Sequence, residues 1–315
     1  MRAALITGPQ QVELIERPTP RPAAGEILVE LEGCGVCGSD LAVFEGRPWF
    51  EYPREPGAPG HEGWGHVAAV GDGVTAVRTG DRVAALSFHA DSEFDIARAA
   101  DVVALPGELD GQPFPGEALG CAMNAARRCE FAAGQTVAVV GAGFLGSLLV
   151  ALAARAGAHV VAISRRPFAL EVARRMGAHE AWPLDDDALG RVEELTDGAL
   201  CDRVVEVTGL QEPLDLCSRL TRVRGRLVIA GYHQDGSRTV DMQLWNWRGL
   251  DVINAHERDP AVYVRGMRAA ADAVASGALD PSPLYTHEFA LDRLGEALAT
   301  ALARPDGFLK AIVRP

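Results

Sequence analysis

The stretch Val137-Ala138-Val139-Val140-Gly141-Ala142-Gly143-Phe144-Leu145-Gly146 decides the fold. Its apolar front suits a strand buried on both faces, as at the centre of a parallel sheet. It runs into a GxGxxG turn and then an alanine- and leucine-rich helix. In such a turn Gly141 supplies backbone angles that a side chain resists, and Gly143 lets a pyrophosphate reach the amides. Gly146 lets the helix sit close to the strand, and the helix N-terminus favours the phosphate charge. A bare GxGxxG is a weak signal, but here strand, helix and second strand all follow at the right spacing. Val137 to Ala154 is uncharged throughout and near the lower length limit for a membrane span. The interrupting glycines favour a strand, a turn and a buried helix instead, and no membrane partner is expected.

Working outward, six short apolar strands alternate with helical stretches: Val137–Val140, Val160–Ile163, Glu180–Trp182, Arg203–Val207, Arg226–Ala230 and Asp251–Ala255. That rhythm implies parallel pairing with both sheet faces covered, in an α/β doubly wound dinucleotide-binding domain. Thr208, directly after the fourth strand, joins Gly141, Gly143, Phe144, Leu145 and Gly146 among the candidate cofactor residues. Residues 1 to about 120 read differently. Runs such as Glu26-Ile-Leu-Val-Glu-Leu, Gly65-His-Val-Ala-Ala-Val and Asp81-Arg-Val-Ala-Ala-Leu, separated by Gly and Pro clusters, predict a β-rich domain. The tail holds an alanine-rich helix and a closing strand around Leu309–Val313. The expected domains are 121–256 for the cofactor, and 1–120 with 257–315 for a discontinuous catalytic domain.

The 315 residues suit two domains, and the net charge of −13 argues against a nucleic-acid partner, which clustered Lys and Arg would hold. Six cysteines are too sparse for a disulfide scaffold. With no signal-peptide pattern after Met1, the expectation is a cytoplasmic protein with reduced thiols. Of the thirty basic residues only Lys310 is lysine, which reads as codon usage and not as function.

The end of the second cofactor-domain strand should carry a carboxylate if the ligand is NAD, to bond the ribose hydroxyls. It carries Ser164-Arg165-Arg166 instead. Two guanidinium groups can clamp a phosphate and stay charged at any working pH, so NADP(H) is expected over NAD(H).

Cys37-Gly38-Ser39-Asp40, Gly60-His61-Glu62 and Gly80-Asp81-Arg82-Val83 follow in that order in the first domain. With them the chain resembles the medium-chain dehydrogenase/reductase superfamily, in its zinc-dependent alcohol and polyol dehydrogenase branch, over nearly its whole length. The resemblance implies a GroES-like catalytic domain beside the Rossmann domain, and a dimer or tetramer formed through the edge strand near Asp251–Ala255. It makes Cys37 and His61 ligands of one catalytic zinc, with Glu62 able to enter the coordination shell. Glu117, in Glu117-Ala118-Leu119, matches the third ligand of the polyol enzymes; Cys121, about one helical turn on, competes for that place. A thiolate, imidazole and carboxylate set suits zinc with a fourth position for water or substrate.

Two departures from the family stand out. The four cysteines of a structural-zinc lobe are missing between Leu86 and Asp101, so a single zinc is expected. The histidine that ends the proton relay in many relatives is replaced by Ala42. The implied chemistry is Lewis-acid activation of a small alcohol, with Ser39 passing the proton, Asp40 orienting His61, and hydride moving to the nicotinamide. His256 and Glu257 fall where the family places the pocket edge, and their polarity favours a polyol, sugar or cyclitol. They fit an interface strand equally well. A zinc-independent reductase of C=C bonds and an inactive NADPH-binding protein are the alternatives, and the Cys37 and His61-Glu62 ligand set counts against both. Cys34, Cys129, Cys201 and Cys217 are expected to be core thiols, His89 and His233 satisfied polar groups, and Trp245 and Trp247 packing or contact residues.

Overall fold

The computed structural model describes residues 1–315 and divides into two compact units: Met1–Cys121 with Arg258–Pro315, and Ala122–Glu257. The first unit opens with the antiparallel hairpin β1 (Arg2–Gly8) and β2 (Gln11–Glu16), then β3 (Glu26–Gly35), α1 (Asp40–Glu45), β4 (Gly63–Val70), β5 (Arg82–Ala85), β6 (Phe94–Arg98) and β7 (Val102–Ala104). Alternate residues of β3 and β4 point inwards. Ile27, Val29, Leu31, Val67 and Val83 form one apolar cluster with Ala97 and Val102. The boundary between the units falls within α2 (Gly116–Cys129).

Arg82 ties the loop before α2 to this sheet. Its guanidinium is almost fully buried, bonds Glu32 through Nε (2.9 Å) and Nη2 (2.6 Å), and donates to the carbonyls of Leu109 and Gln112, both at 2.7 Å. Because burying a guanidinium is costly without partners, these four bonds hold residues 109–112 against the β3–β5 face.

The second unit carries β8 (Thr136–Val140), α3 (Phe144–Arg155), β9 (His159–Ser164), α4 (Pro167–Arg175), β10 (Glu180–Pro183), α5 (Ala188–Leu195), β11 (Cys201–Glu206), α6 (Gln211–Leu220), β12 (Thr221–Ile229), α7 (Met242–Arg248) and β13 (Asp251–Asn254). All its strands are parallel, in the order β10-β9-β8-β11-β12-β13. This is the doubly wound arrangement, whose direction of winding reverses between β8 and β11. Val137 to Val140 are fully buried, as a central parallel strand requires. The uncharged stretch Val137–Ala154 is thus split between β8 and α3, and no helix of the chain is long and apolar enough to cross a membrane.

The tail returns to the first unit as α8 (Pro260–Ala275), β14 (Tyr285–Ala290), α9 (Leu294–Ala303) and β15 (Lys310–Arg314). β15 pairs parallel to β14 and antiparallel to β3, completing the order β14-β15-β3-β4-β5-β7, with β6 paired to the other end of β3. Leu294, Leu298 and Phe308 then close a second apolar cluster around Ile6, Leu41 and Phe44. The sequence reading missed α9 and β14, because short alanine-rich and mixed-polarity segments carry no distinctive period.

Replacing Arg82 with Met should leave the Leu109 and Gln112 carbonyls without their donor and Glu32 with His66 alone, and cost about 3 kcal/mol of stability. Urea unfolding of the variant measures it, and Lys at the same position should recover only part of the loss because it cannot fork.

Candidate functional site

In the first unit the end of β3 and the start of β4 lie side by side, Gly35 N bonding Glu62 O, so Cys37 is brought beside His61 and Glu62. One sulfur, one imidazole nitrogen and one carboxylate oxygen from these residues all lie within 4.8 Å of one another. His61 Nδ1 is 2.9 Å from Pro59 O and 3.2 Å from Asp40 Oδ1. A carbonyl can only accept, so Nδ1 carries a proton and Nε2 is the nitrogen that a cation could take. Asp40 also accepts from the amide of Cys37 at 2.8 Å, so one buried carboxylate steadies both residues. Burial disfavours a charged His61, but Asp40 and Cys37 outweigh it and hold the imidazole well above its ordinary pKa. Asp91 lies fully buried nearby; burial, reinforced by the charge of Asp40, pushes its carboxyl well up.

The donor types fit zinc, which accepts sulfur, imidazole nitrogen and carboxylate oxygen in one site. Glu117 and Cys121 stand outside this three-donor group and bond each other, Cys121 Sγ donating to Glu117 Oε1 at 3.2 Å. Burial raises the Glu117 carboxyl and, with the charge of Glu117 added, raises the Cys121 thiol well above the ordinary value. His61 and Lys310 draw the Glu117 carboxyl back down, so it lies within electrostatic reach of the donor group. Ser39 precedes α1, and its hydroxyl makes no capping bond.

Glu62 is held by a residue to which the sequence assigned no role. Lys310, the chain's only lysine, is 4% exposed, and its ammonium lies 2.6 Å from Oε1 and 2.5 Å from Oε2 of Glu62, itself 1% exposed. Burial opposes the charge on Lys310, but Glu62, Cys37 and Asp40 overcome it and raise its pKa. Codon usage accounts for the scarcity of lysine in the chain and not for the place that Lys310 takes, beside a buried carboxylate. A lone lysine at the head of the apolar run Ala311–Val313 was the available signal, since buried lysines are rarely unpaired. Tyr285 was also missed: its phenol is buried, and burial together with the charge of Glu62 pushes it well up.

In the second unit Gly141 has φ +106°, and a Cβ on Gly146 would stand 1.8 Å from Gly141 O. A Cβ on Gly143 would meet nothing within 4 Å, so open space lies at the start of α3, where a phosphate would approach. Phe144 and Leu145 open that helix. Ser164 is buried at the end of β9, Arg165 is exposed, and Arg166 precedes Pro167 at the head of α4. Thr208 lends both its amide and its hydroxyl proton to Glu206, and its methyl side packs near Gly141. His256 lies exposed beyond β13, with Nε2 3.3 Å from Gly231 O, and Glu257 beside it is half-buried. The thiols Cys34, Cys129, Cys201 and Cys217 are buried, while His89 pairs with Glu55 and His233 with Glu206. Trp245 donates to Ser218, whereas Trp247 is exposed.

A β-rich unit holding a Cys/His/Glu donor group, joined to a doubly wound unit with an open glycine turn, defines a metal-assisted dehydrogenase of the α/β class. The alcohol dehydrogenase GroES-like domain matches residues 23–148, and the zinc-binding dehydrogenase domain matches residues 145–271. The chain belongs to the zinc-containing medium-chain alcohol dehydrogenase family and is a zinc-dependent alcohol/polyol dehydrogenase. It is 27% identical to the sorbitol dehydrogenase of Bacillus subtilis over 350 aligned positions, covering 100% of this chain and 97% of that one. Among solved structures it resembles the 2R,3R-butanediol dehydrogenase of Bacillus subtilis, with TM-score 0.87, 25% identity and coverage of 100% and 99%. It also resembles a zinc-binding dehydrogenase of Sinorhizobium meliloti bound to NADP, with TM-score 0.85, 25% identity and coverage of 100% and 99%.

Removing Lys310 alone (Lys310→Met) strands a buried carboxylate and should cost about 3–5 kcal/mol in the metal-free protein. The pair Lys310→Met with Glu62→Gln should recover most of that loss. Urea unfolding of the two variants checks both expectations.

Proposed function

We propose that this enzyme transfers hydride between a hydroxyl-rich secondary alcohol (a polyol, sugar or cyclitol) and NADP(H), using a single catalytic zinc. The observation that carries the reading is the gathering of one donor atom each from Cys37, His61 and Glu62 within 4.8 Å, with His61 Nδ1 turned to Pro59 O. Cys37, His61 and Glu117 would hold the metal, with Cys121 as the competing third ligand and Glu62 as an exchangeable one. When bound, zinc supplies Lewis-acid polarisation of the substrate oxygen, and the nicotinamide accepts or returns hydride.

The remaining work falls to the chain. Ser39, whose hydroxyl makes no capping bond, takes the proton of the substrate hydroxyl at Oγ and passes its own to water or another acceptor, since residue 42 is alanine. Asp40 orients His61 and fixes Cys37 through its amide. Gly141, Gly143 and Gly146, with Phe144, Leu145 and Thr208, border the pyrophosphate and ribose. Ser164, Arg165 and Arg166 would take the 2′-phosphate; no carboxylate stands among them to bond a free ribose hydroxyl pair. The related dehydrogenase of Sinorhizobium meliloti, solved with NADP, supports that choice. His256 and Glu257 would meet the substrate hydroxyls.

The lack of cysteine between Leu86 and Asp101 supports a single zinc, and six free thiols accord with the cytoplasm. A dimer or tetramer would form along β13, which pairs on one side only and has Asp251 and Asn254 exposed.

Cys37→Ser and His61→Ala should each lose bound zinc, read by elemental analysis, together with turnover across a polyol panel. An active zinc-free variant would defeat the reading, and equal rates on simple aliphatic alcohols would remove the polyol preference. Replacing both Arg165 and Arg166 with Ala should raise the NADPH Michaelis constant roughly tenfold or more while leaving that for NADH unchanged. A wild-type preference for NADH would sink the NADP(H) assignment.

A further inference from the structure

β10 is the edge of the parallel sheet, four residues long and paired to β9 alone. An edge strand is held on one side only, so each tie along it counts. Two histidines stand where it joins the sheet: His159, the first residue of β9, and His179, directly before β10. Their ring centroids lie 4.6 Å apart, with the planes tilted by 34°. His179 N donates to Val160 O at 2.8 Å, and Val160 N donates to His179 Nδ1 at 3.1 Å, so the two residues are tied in both directions. An amide N–H can only donate, so Nδ1 of His179 presents its lone pair there and the ring proton sits on Nε2. His159 Nε2 is buried and has no hydrogen-bond partner.

Neither imidazole has a place for a second proton. On His179 it would enter at Nδ1, set N–H against the Val160 N–H and break that bond. On His159 it would leave a sealed N–H without an acceptor and put a charge beside a second imidazole. Burial first, and then His179, hold the His159 imidazole below its ordinary pKa, while Glu180 pulls less strongly the other way. The other charged groups on the elements packed here are Arg155, ending α3, and Arg174 and Arg175 in the last turn of α4. All three are cations, which do not favour a further positive charge, and Arg174 is committed to Ala181 O at 2.6 Å. β8 sets Thr136 opposite His159 and brings no ionisable group; Asp202, which accepts from Thr136 N, is paired with Arg222.

We propose that His159 and His179 form an acid-released clip on the edge of the second unit: a proton taken from solvent by either imidazole parts the start of β10 from β9. The release reaches beyond the clip. At its other end β10 pairs Pro183 with Ser164, and Leu184 N donates to Ser164 O at 3.1 Å. Only the short β10 lies between the histidines and that bond, so a freed β10 loosens the backbone on which Ser164 stands. A base that resists its proton when folded contributes stability above the ordinary imidazole pKa of about 6.5 and loses it as the pH falls through that range. Acid therefore opens the clip, whichever ligand the unit binds.

Amide hydrogen exchange followed by NMR at about pH 7.5 and about pH 5.5, corrected for intrinsic exchange, reads the opening constants of single residues. Those of Val160 and Leu184 should rise about tenfold or more at the lower pH, with one factor of about ten for each imidazole that is charged only in the open form. Val139, in the central strand β8, should keep its constant. His179→Asn still offers an acceptor to the Val160 amide but takes no proton, and combined with His159→Phe it should abolish the rise at both amides. An unchanged Val160 in the wild type, an equal rise at Val139, or a rise that persists in the double variant would overturn the proposal. A rise at Val160 without one at Leu184 would overturn its extension to Ser164.

Discussion

The ion pair between Lys310 and Glu62 joins residues 248 positions apart and does so with both partners out of water. Neither charge is tolerable there alone, because an unpaired buried ion costs several kcal/mol. β15 must therefore lie beside β3 for the start of β4 to be stable, and the C-terminal segment is part of the donor group's foundation. The apolar cluster formed by α9, β15 and the N-terminal strands supplies the hydrophobic side of the same closure.

Charge around the donor group is arranged in a chain. Asp40 holds His61 and the Cys37 amide, Lys310 holds Glu62, and Cys121 donates to Glu117. Each candidate ligand thus has a partner that orients it, which is how a donor set is kept in shape before a cation arrives. The excess of acid over base in the whole chain says little about this region, where one lysine offsets one glutamate and burial governs the rest. In the second unit the same economy recurs: Glu206 is fully buried because four hydrogen-bond donors converge on it.

Much of this was legible in the linear chain. The GxGxxG turn behind an all-apolar strand announced the parallel sheet, since both its period and its glycines are local requirements. The six strands after Gly134 were located to within a residue or two at most ends. Cys37, His61 and Glu62 were singled out from spacing and resemblance, and the structure gathers their donor atoms. Other parts were not legible. Lys310 looked like compositional noise because its meaning lies in a partner at the far end of the chain. His233 looked like an isolated histidine because Glu206 and Arg238 reach it only when two loops fold together. Glu117 was preferred to Cys121 on its match to the polyol enzymes, and in the folded chain the two bond each other outside the three-donor group.

The sequence by itself determined the α/β class, the position of the glycine turn and the residue types available for metal and phosphate, because these follow from local period, backbone freedom and side-chain chemistry. Tertiary structure alone decided which nitrogen of His61 is turned to a carbonyl, which cation neutralises Glu62 and which donors converge on Glu206. Each of those depends on a hydrogen bond or ion pair between residues from separate elements, and such pairings exist only once hydrophobic burial has brought the elements together.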